Sequence, residues 1–226
     1  MKRLLIIPAR IGSKRILKKN IKSFLGNPII YYSIKTAKNS RLFDKIHVST
    51  ESAIIKKIIE KNNLKIDFMR DRKLSNDKAG LLEVFKFVIK KDKKIGLTFK
   101  EVWFLTPCSP LIQSSDLISA SKFFKKNNSN ALLAVSEYSP PIQWAFKLNN
   151  NNNLHPLNEK KLKYRSQNLT KTFYDTGTFG AFEYNALKNN KKINYAGFQI
   201  PRYKGIDIDT KQDWKLAEKI FKSDLK

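Results

Sequence analysis

The sequence predicts an α/β fold, a three-layer and mostly parallel sheet with helices on both faces. Short apolar or β-branched runs alternate with helix-like segments from end to end, the order that yields parallel strands joined by crossover helices. The first run, Leu4 to Pro8, is apolar at successive positions, as a strand buried on both faces requires. With 226 residues and 41% hydrophobic content, the chain has enough material for one large domain with a sizeable core.

The elements follow in order. Leu4 to Ile7 is the first strand, and a loop from Ala9 to Asn20 follows it. Pro28 opens a helix whose apolar positions Ile30, Tyr31, Ile34 and Ala37 recur at helical spacing. Lys45 to Ser49 is a strand leading through Thr50 and Ser52, both able to cap, into a helix carrying Ile54, Ile55, Ile58 and Ile59. Lys65 to Phe68 is expected as a further strand, Gly80 to Lys90 as a helix, and Glu101 to Leu105 as a strand. Ser115 is expected to cap a helix running to about Lys125, before a strand from Ala131 to Val135. Periodicity then loosens over about 140–175, where Pro140-Pro141, the Asn149 to Asn153 tract and Lys160 to Lys163 intervene, so this stretch is expected to leave the sheet. Strands return near Phe179 to Phe182 and Tyr195 to Ile200, and a last helix starts near Thr210.

No apolar run approaches the roughly 20 residues of a membrane helix, and the N-terminal MKRLLIIPAR lacks the length and cleavage site of a secretory signal, so cytoplasm is expected and a membrane partner is not. The lone Cys108 excludes an intrachain disulfide, and with only two distant histidines it argues against structural zinc. Cys108 is read as a packing residue, and the three tryptophans as core or interface anchors, with Trp144 set apart by its neighbour Gln143. A net charge of +26 would ordinarily suggest nucleic acid. The lysines, however, are spread over almost every segment together with many Asn and Ile, the mark of codon bias in an AT-rich genome, so nucleic acid is not the expected partner.

Two segments carry candidate chemistry. Pro8-Ala-Arg-Ile-Gly-Ser-Lys-Arg15 follows the first strand, and ligands of open parallel sheets sit beyond the carboxyl ends of strands. Backbone amides near Gly12 and Ser13 suit phosphate oxygens, and Arg10 and Lys14 suit their charge. The segment matches neither GxGxxG nor GxxxxGK[ST], and by itself it serves a solvated basic loop equally well. Gly205-Ile-Asp-Ile-Asp-Thr210 is the second. In extended backbone Asp207 and Asp209 project to one side while Ile206 and Ile208 project to the other. Two hard oxygen donors on one side suit Mg²⁺, although Asp209 or Thr210 is equally able to cap the last helix.

IIPARIGSKRILKKNI, FLGNPIIYYSI, LFDKIHVST and IDIDTKQDW, spread from residue 6 to residue 214, are similar in sequence and order to the cytidylyltransferases that activate nonulosonic acids, the CMP-sialic acid synthetase group. Within it, Pro140-Pro-Ile-Gln143, Arg165-Ser-Gln-Asn-Leu169 and Phe173-Tyr-Asp-Thr-Gly177 most resemble the pseudaminic acid cytidylyltransferases. The resemblance implies a Rossmann-like nucleotide-diphospho-sugar transferase fold in one domain, residues 1–226. It also implies Mg²⁺-dependent transfer of CMP from CTP to the anomeric hydroxyl of an acidic nine-carbon sugar, with release of pyrophosphate. Arg10, Ser13, Lys14, Lys19, Asn20 and Arg70 match its nucleotide site, and Asp207 and Asp209 its metal ligands, with Arg10, Lys14 and Asp209 the catalytic candidates. Thr106, Gln143, Arg165, Gln167, Tyr174 and Asp175 match its sugar site. Arg165 suits a sugar carboxylate, and Asp175 suits either the sugar or a neighbouring side chain. A homodimer is implied, the excursion at about 140–175 crossing to close the partner's sugar site.

The chain departs from the group at several positions. Leu17 and Asp71 replace prolines, Ala79 and Leu81 stand where hydroxyls are frequent, Tyr174 replaces His, and Thr178 replaces Gln. Gly180 and Ala181 replace two aromatics, so large stacking surfaces are expected to be missing from the sugar pocket. The rival readings are a cytidylyltransferase for sialic, legionaminic or 3-deoxy-manno-octulosonic acid, a ligand-binding relative without catalysis, and a basic nucleic-acid-binding protein.

Overall fold

Along the first strand Leu4 and Ile6 point to one face of a central sheet and Leu5 and Ile7 to the other, and all four are fully buried. A strand apolar on both sides has to be covered twice, and this requirement produces the three layers. The computed structural model describes residues 2–76, 80–188 and 192–224. In chain order the elements are β1 (Arg3–Pro8), β2 (Ser23–Phe24), β3 (Asn27–Pro28), α1 (Ile29–Ser40), β4 (Lys45–Ser49), α2 (Ala53–Lys61), α3 (Leu81–Lys94), β5 (Glu101–Leu105) and α4 (Ser114–Lys126). Then follow β6 (Ala131–Glu137), β7 (Phe146–Leu148), β8 (Leu154–Pro156), β9 (Phe173–Glu183), α5 (Tyr184–Lys188), β10 (Tyr195–Gln199) and α6 (Lys211–Asp224).

The main sheet has six strands in the order β10-β6-β9-β5-β1-β4. Five are parallel, and β9 runs antiparallel between β5 and β6. On one face Leu5, Ile7, Trp103, Leu105, Leu132 and Phe179 pack against Ile30 and Ile34 of α1, Ile55 and Ile59 of α2, and Leu117 and Phe124 of α4. On the other, Leu4, Ile6, Val102, Phe104 and Phe182 meet Phe85 and Val88 of α3 and Leu187 of α5. A third cluster joins Phe24, Ile29 and Leu111 to Ile208, Trp214 and Ala217 at the start of α6. Among the described residues no helix is long and apolar enough to cross a membrane.

The expected strand from Lys65 to Phe68 does not form. Asp67 bonds the Lys45 ammonium at 2.8 Å, and Phe68 stacks on His47 with ring centroids 4.4 Å apart, so side chains rather than a backbone ladder hold this segment beside β4. Burial, and after it the Lys45 charge, pushes His47 down to about 4; the ring is neutral and packs as an aromatic. Ser115 does not cap α4 either. Gln113 occupies the cap, and the Asp116 carboxylate accepts its backbone N–H at 2.8 Å. Residues 138–172 leave the sheet between β6 and β9 and contain the β7–β8 hairpin. Its turn is the asparagine tract, where Asn149 Oδ1 accepts the N–H groups of Asn151 and Asn153 and Asn152 adopts φ 62°, a conformation asparagine tolerates.

Gly180 and Ala181 lie inside the sheet, paired across β9 with Phe104 and Trp103 of β5. Ala181 is fully buried, and a Cβ on Gly180 would stand 2.5 Å from a ring carbon of Phe104 and 2.6 Å from the Leu132 carbonyl. The expectation that these two residues thin out the sugar pocket is therefore corrected: neither lines the cleft, and their smallness serves sheet packing. Gly180→Ala is expected to destabilise the fold by about 2 kcal/mol, the usual cost of overpacking. Thermal melting reads this as a Tm lower by roughly 4–8 °C, and an unchanged Tm contradicts the packing assignment.

Candidate active site

The loop after β1 is shaped by one side chain of its own, Asn20, and by Glu51 beyond β4. Asn20, buried, donates from Nδ2 to the Arg10 carbonyl at 2.7 Å and accepts the Cys108 thiol on Oδ1 at 3.2 Å. Ile11 N–H donates to Glu51 Oε1 at 2.9 Å, and Ser13 N–H to the Ile11 carbonyl at 2.9 Å. Asn20 thus braces the loop with its amide. Burial pushes the Cys108 thiol up to about 12, which keeps it protonated and unreactive, as expected of a packing residue.

The acid segment approaches the same place from the other end of the chain. Lys204, largely buried, anchors it by donating to both carboxylate oxygens of Asp116 at 2.8 Å. Gly205 lies so close to β9 that a Cβ there would meet Thr176 Cγ2 at 2.6 Å. Ile208 is buried beneath the segment, while Ile206 is only half-buried, packing against the third cluster and also lining the cleft. Whether Asp209 caps the last helix is decided by a neighbour. Asp213 Oδ2 accepts Thr210 N–H at 2.7 Å and Asp209 N–H at 3.1 Å, and Asp213 N–H donates to Thr210 Oγ1 at 3.2 Å. Thr210 and Asp213 cap α6, so the Asp209 carboxylate faces the cleft.

There it meets the first loop. Lys19 Nζ donates to Asp209 Oδ1 at 3.0 Å and to the Ile208 carbonyl at 2.7 Å, and an Arg15 guanidinium nitrogen lies 2.6 Å from Asp209 Oδ2. Burial would raise the Asp209 carboxyl, but the Lys19 hydrogen bond and charge, helped by Arg15, outweigh it and hold it below the usual carboxylate range. Burial and then repulsion from Asp209 push Asp207 the other way.

A cleft of ≈ 600 Å³ opens here, lined by Arg10, Ser13, Lys14, Lys19, Asn20, Arg70, Thr106, Asp207 and Asp209. It brings together the whole expected nucleotide and metal set and one residue of the sugar set. Tyr174 and Asp175 line an adjoining lobe of ≈ 850 Å³, which shares Thr176, Gly177, Ile206 and Asp207 with the first. The two lobes meet at an irregularity in β9. Leu133 pairs with Gly180 and Val135 with Asp175, so one residue of β6 faces four of β9; Gly177 at φ 64° turns outward while Thr176, Thr178 and Phe179 stay buried. Thr178, within this surplus, is buried and bonded to Thr176 Oγ1 at 2.8 Å.

Gln143, Arg165 and Gln167 are not brought to either lobe of their own chain. Gln143 donates to the Thr170 carbonyl at 2.8 Å, and Arg165 and Gln167 are exposed on the excursion. Trp144 does not line the cleft, whereas Trp103 and Trp214 sit in the core. Leu17 projects into solvent, and Leu81 lines the cleft. Ala79 lies outside the described residues. Asp71 keeps a proline-like φ of −61° and caps the next turn through Lys73 N–H at 3.0 Å, so the loss of proline leaves Arg70 in place. Sequence reasoning missed Arg15 as a partner of Asp209, Glu51 as a partner of Arg70, and the turn at Thr176-Gly177. Arg15 was discoverable from its place in the basic loop; Glu51 left no signal, because it lies 40 residues from the loop it holds.

The chain is similar to known proteins over nearly its whole length. A family model described as cytidylyltransferase matches residues 4–220. The pseudaminic acid cytidylyltransferase of Campylobacter jejuni subsp. jejuni serotype O:2 is 39% identical over 225 residues, covering 98% of this chain and 97% of the relative. The CMP-N,N'-diacetyllegionaminic acid synthase of Legionella pneumophila is 27% identical over 228 residues, with 98% and 97% covered. In three dimensions the chain superposes on a CMP:2-keto-3-deoxy-manno-octonic acid synthetase complexed with CTP over 100% of both chains, with a TM-score of 0.74; at 16% identity this likeness establishes a shared fold. The match along nearly the full length, together with a cationic loop and an acid pair facing one cleft, places this chain in the cytidylyltransferase family.

Proposed function

We propose that the chain transfers CMP from CTP to the anomeric hydroxyl of a nonulosonic acid, with pseudaminic acid the favoured substrate, and releases pyrophosphate. The observation that carries this reading is the seating of Lys19 and Arg15 on Asp209 inside the cleft that Arg10, Lys14 and Arg70 also line. The preference for pseudaminic acid is supported by the near full-length similarity to the Campylobacter jejuni enzyme. In the reaction the sugar hydroxyl oxygen bonds to the α-phosphorus as the bond from that phosphorus to the bridging oxygen breaks. Such a displacement asks the protein mainly for in-line positioning and charge neutralisation. Arg10, Lys14 and Arg70 supply the positive charge for the triphosphate, and the amides near Ser13 suit its oxygens. Lys19 and Asn20 act through the loop, which they hold shut against the acid pair and against Cys108.

The donor set fits Mg²⁺. Asp207 and Asp209 are the acids that would hold it, and Mg²⁺ commonly takes one or two carboxylates and keeps water and phosphate for its other positions. When bound there, Mg²⁺ neutralises phosphate charge. Thr106, Tyr174 and Asp175 bound the space left for the sugar.

The excursion supports a homodimer. Phe146, Leu148, Leu154 and Leu157 are exposed along the β7–β8 hairpin and just after it, an apolar surface that a second copy would cover. In such a pair Gln143, Arg165 and Gln167 are available to the partner's sugar site. Sedimentation is expected to give a dimer, and a Leu148→Asp/Leu154→Asp variant to shift toward monomer with a larger rise in KM for sugar than for CTP. A wild-type monomer of full activity excludes this role.

Pyrophosphate release with CTP, Mg²⁺ and a panel of pseudaminic, legionaminic, sialic and 3-deoxy-manno-octulosonic acids tests the proposal. Release with none of them, alongside salt-sensitive binding to nucleic acid, would favour the rival reading. In the same assay Asp209→Asn is expected to abolish turnover while the Tm stays near wild type. Lys14→Ala is expected to raise the KM for CTP at least about ten-fold, the scale of one charge-assisted contact, with little change for sugar. Normal turnover in Asp209→Asn, or an effect of Lys14→Ala confined to the sugar, would remove these assignments.

A further inference from the structure

Glu51 is an acid set among cations. β4 ends at Ser49, which pairs with Pro8 at the end of β1, so Glu51 emerges beside the root of the cationic loop. Its side chain is 13% exposed and has two partners. Oε1 accepts Ile11 N–H at 2.9 Å, and Oε2 accepts an Arg70 guanidinium N–H at 3.3 Å. Arg70 is itself buried, and its backbone N–H donates to the Thr50 carbonyl at 2.8 Å, one residue before Glu51. Arg10 and Arg70 line the cleft; Glu51 does not.

A carboxylate behind an anion site opposes the anion through space. Its benefit must therefore come from what it holds. Without it the buried Arg70 guanidinium loses its carboxylate partner while still facing the charge of Arg10, and the loop loses the anchor on its Ile11 amide. We infer that Glu51 is a positioning residue for the nucleotide site: it touches no substrate, and it keeps Arg70 and the Ile11 end of the loop where a triphosphate needs them. This inference rests on the proposed function, in which Arg10 and Arg70 meet the phosphates of CTP.

Because charge and position act in opposite directions, the sign of the effect separates them. Glu51→Gln keeps an acceptor for Ile11 N–H and removes the charge that holds Arg70; Glu51→Ala removes both. Calorimetry without sugar measures the affinity of wild type and variants for CTP and for inorganic triphosphate, with Tm recorded in parallel. Glu51→Gln is expected to weaken both ligands about ten-fold and Glu51→Ala about a hundred-fold, as loss of one and then two anchoring bonds implies. The KM for sugar stays within about two-fold, and Glu51→Gln adds little in an Arg70→Ala background, because the two act as one unit.

Tighter binding in Glu51→Gln, unchanged affinity with only a lower Tm, or full additivity with Arg70→Ala would overturn the inference. Wild type that binds inorganic triphosphate but releases no pyrophosphate from CTP with any acid sugar defeats the proposed function, while the triphosphate affinities still decide the role of Glu51. Wild type that binds neither CTP nor triphosphate overturns both.

Discussion

One ammonium group joins the two ends of this chain. Lys19 Nζ reaches Asp209 and the Ile208 carbonyl across 190 residues of sequence, and with Arg15 it supplies the positive charge that lets two acids stand close together in a partly shielded cleft. The rest of the site is arranged around that junction. Asn20 and Glu51 shape the loop that delivers Lys19, and Lys204, Gly205 and the cap at Asp213 shape the segment that delivers Asp209. Loss of the junction would leave two like charges facing each other in place of a neutralised pair.

The sheet explains why these parts meet. β1 and β5 are parallel neighbours, so their following segments, with Arg10 after one and Thr106 after the other, open at the same edge. β9 enters between β5 and β6 in the opposite sense, which brings its early residues to that same edge, and its surplus residues form a partition between the two lobes. Gly205 lets the acid segment lie directly against this partition, since a side chain there would strike Thr176. The floor of the site is therefore continuous sheet, and its walls are loops with their backbone tied to buried side chains.

Much of this was legible in the sequence because local physics decided it. β4 and β5 span the expected residues, each centred on β-branched and aromatic side chains, and Pro28 marks the start of α1. The DxD alternation survives because Ile208 needs the core and its neighbours must then point away from it. What the sequence hid was decided by tertiary partners. Lys65 to Phe68 has strand-like residues, yet Asp67 and Phe68 are claimed by Lys45 and His47, and no ladder results. Gly180 and Ala181 read as losses from a sugar pocket because one-dimensional alignment carries no information about which face of a strand meets Phe104. Glu51 was invisible for a related reason: its importance lies in a loop distant in sequence.

The most direct test of the account is a crystal structure with CTP and Mn²⁺, in which anomalous scattering locates the metal independently of the rest of the density. A Mn²⁺ peak ligated by Asp207 or Asp209 and by phosphate oxygens of a CTP whose triphosphate lies along Arg10 and Lys14 is the expected result. A well-ordered nucleotide with its metal away from both aspartates, or a triphosphate outside the cleft between the loop and the acid segment, would contradict it.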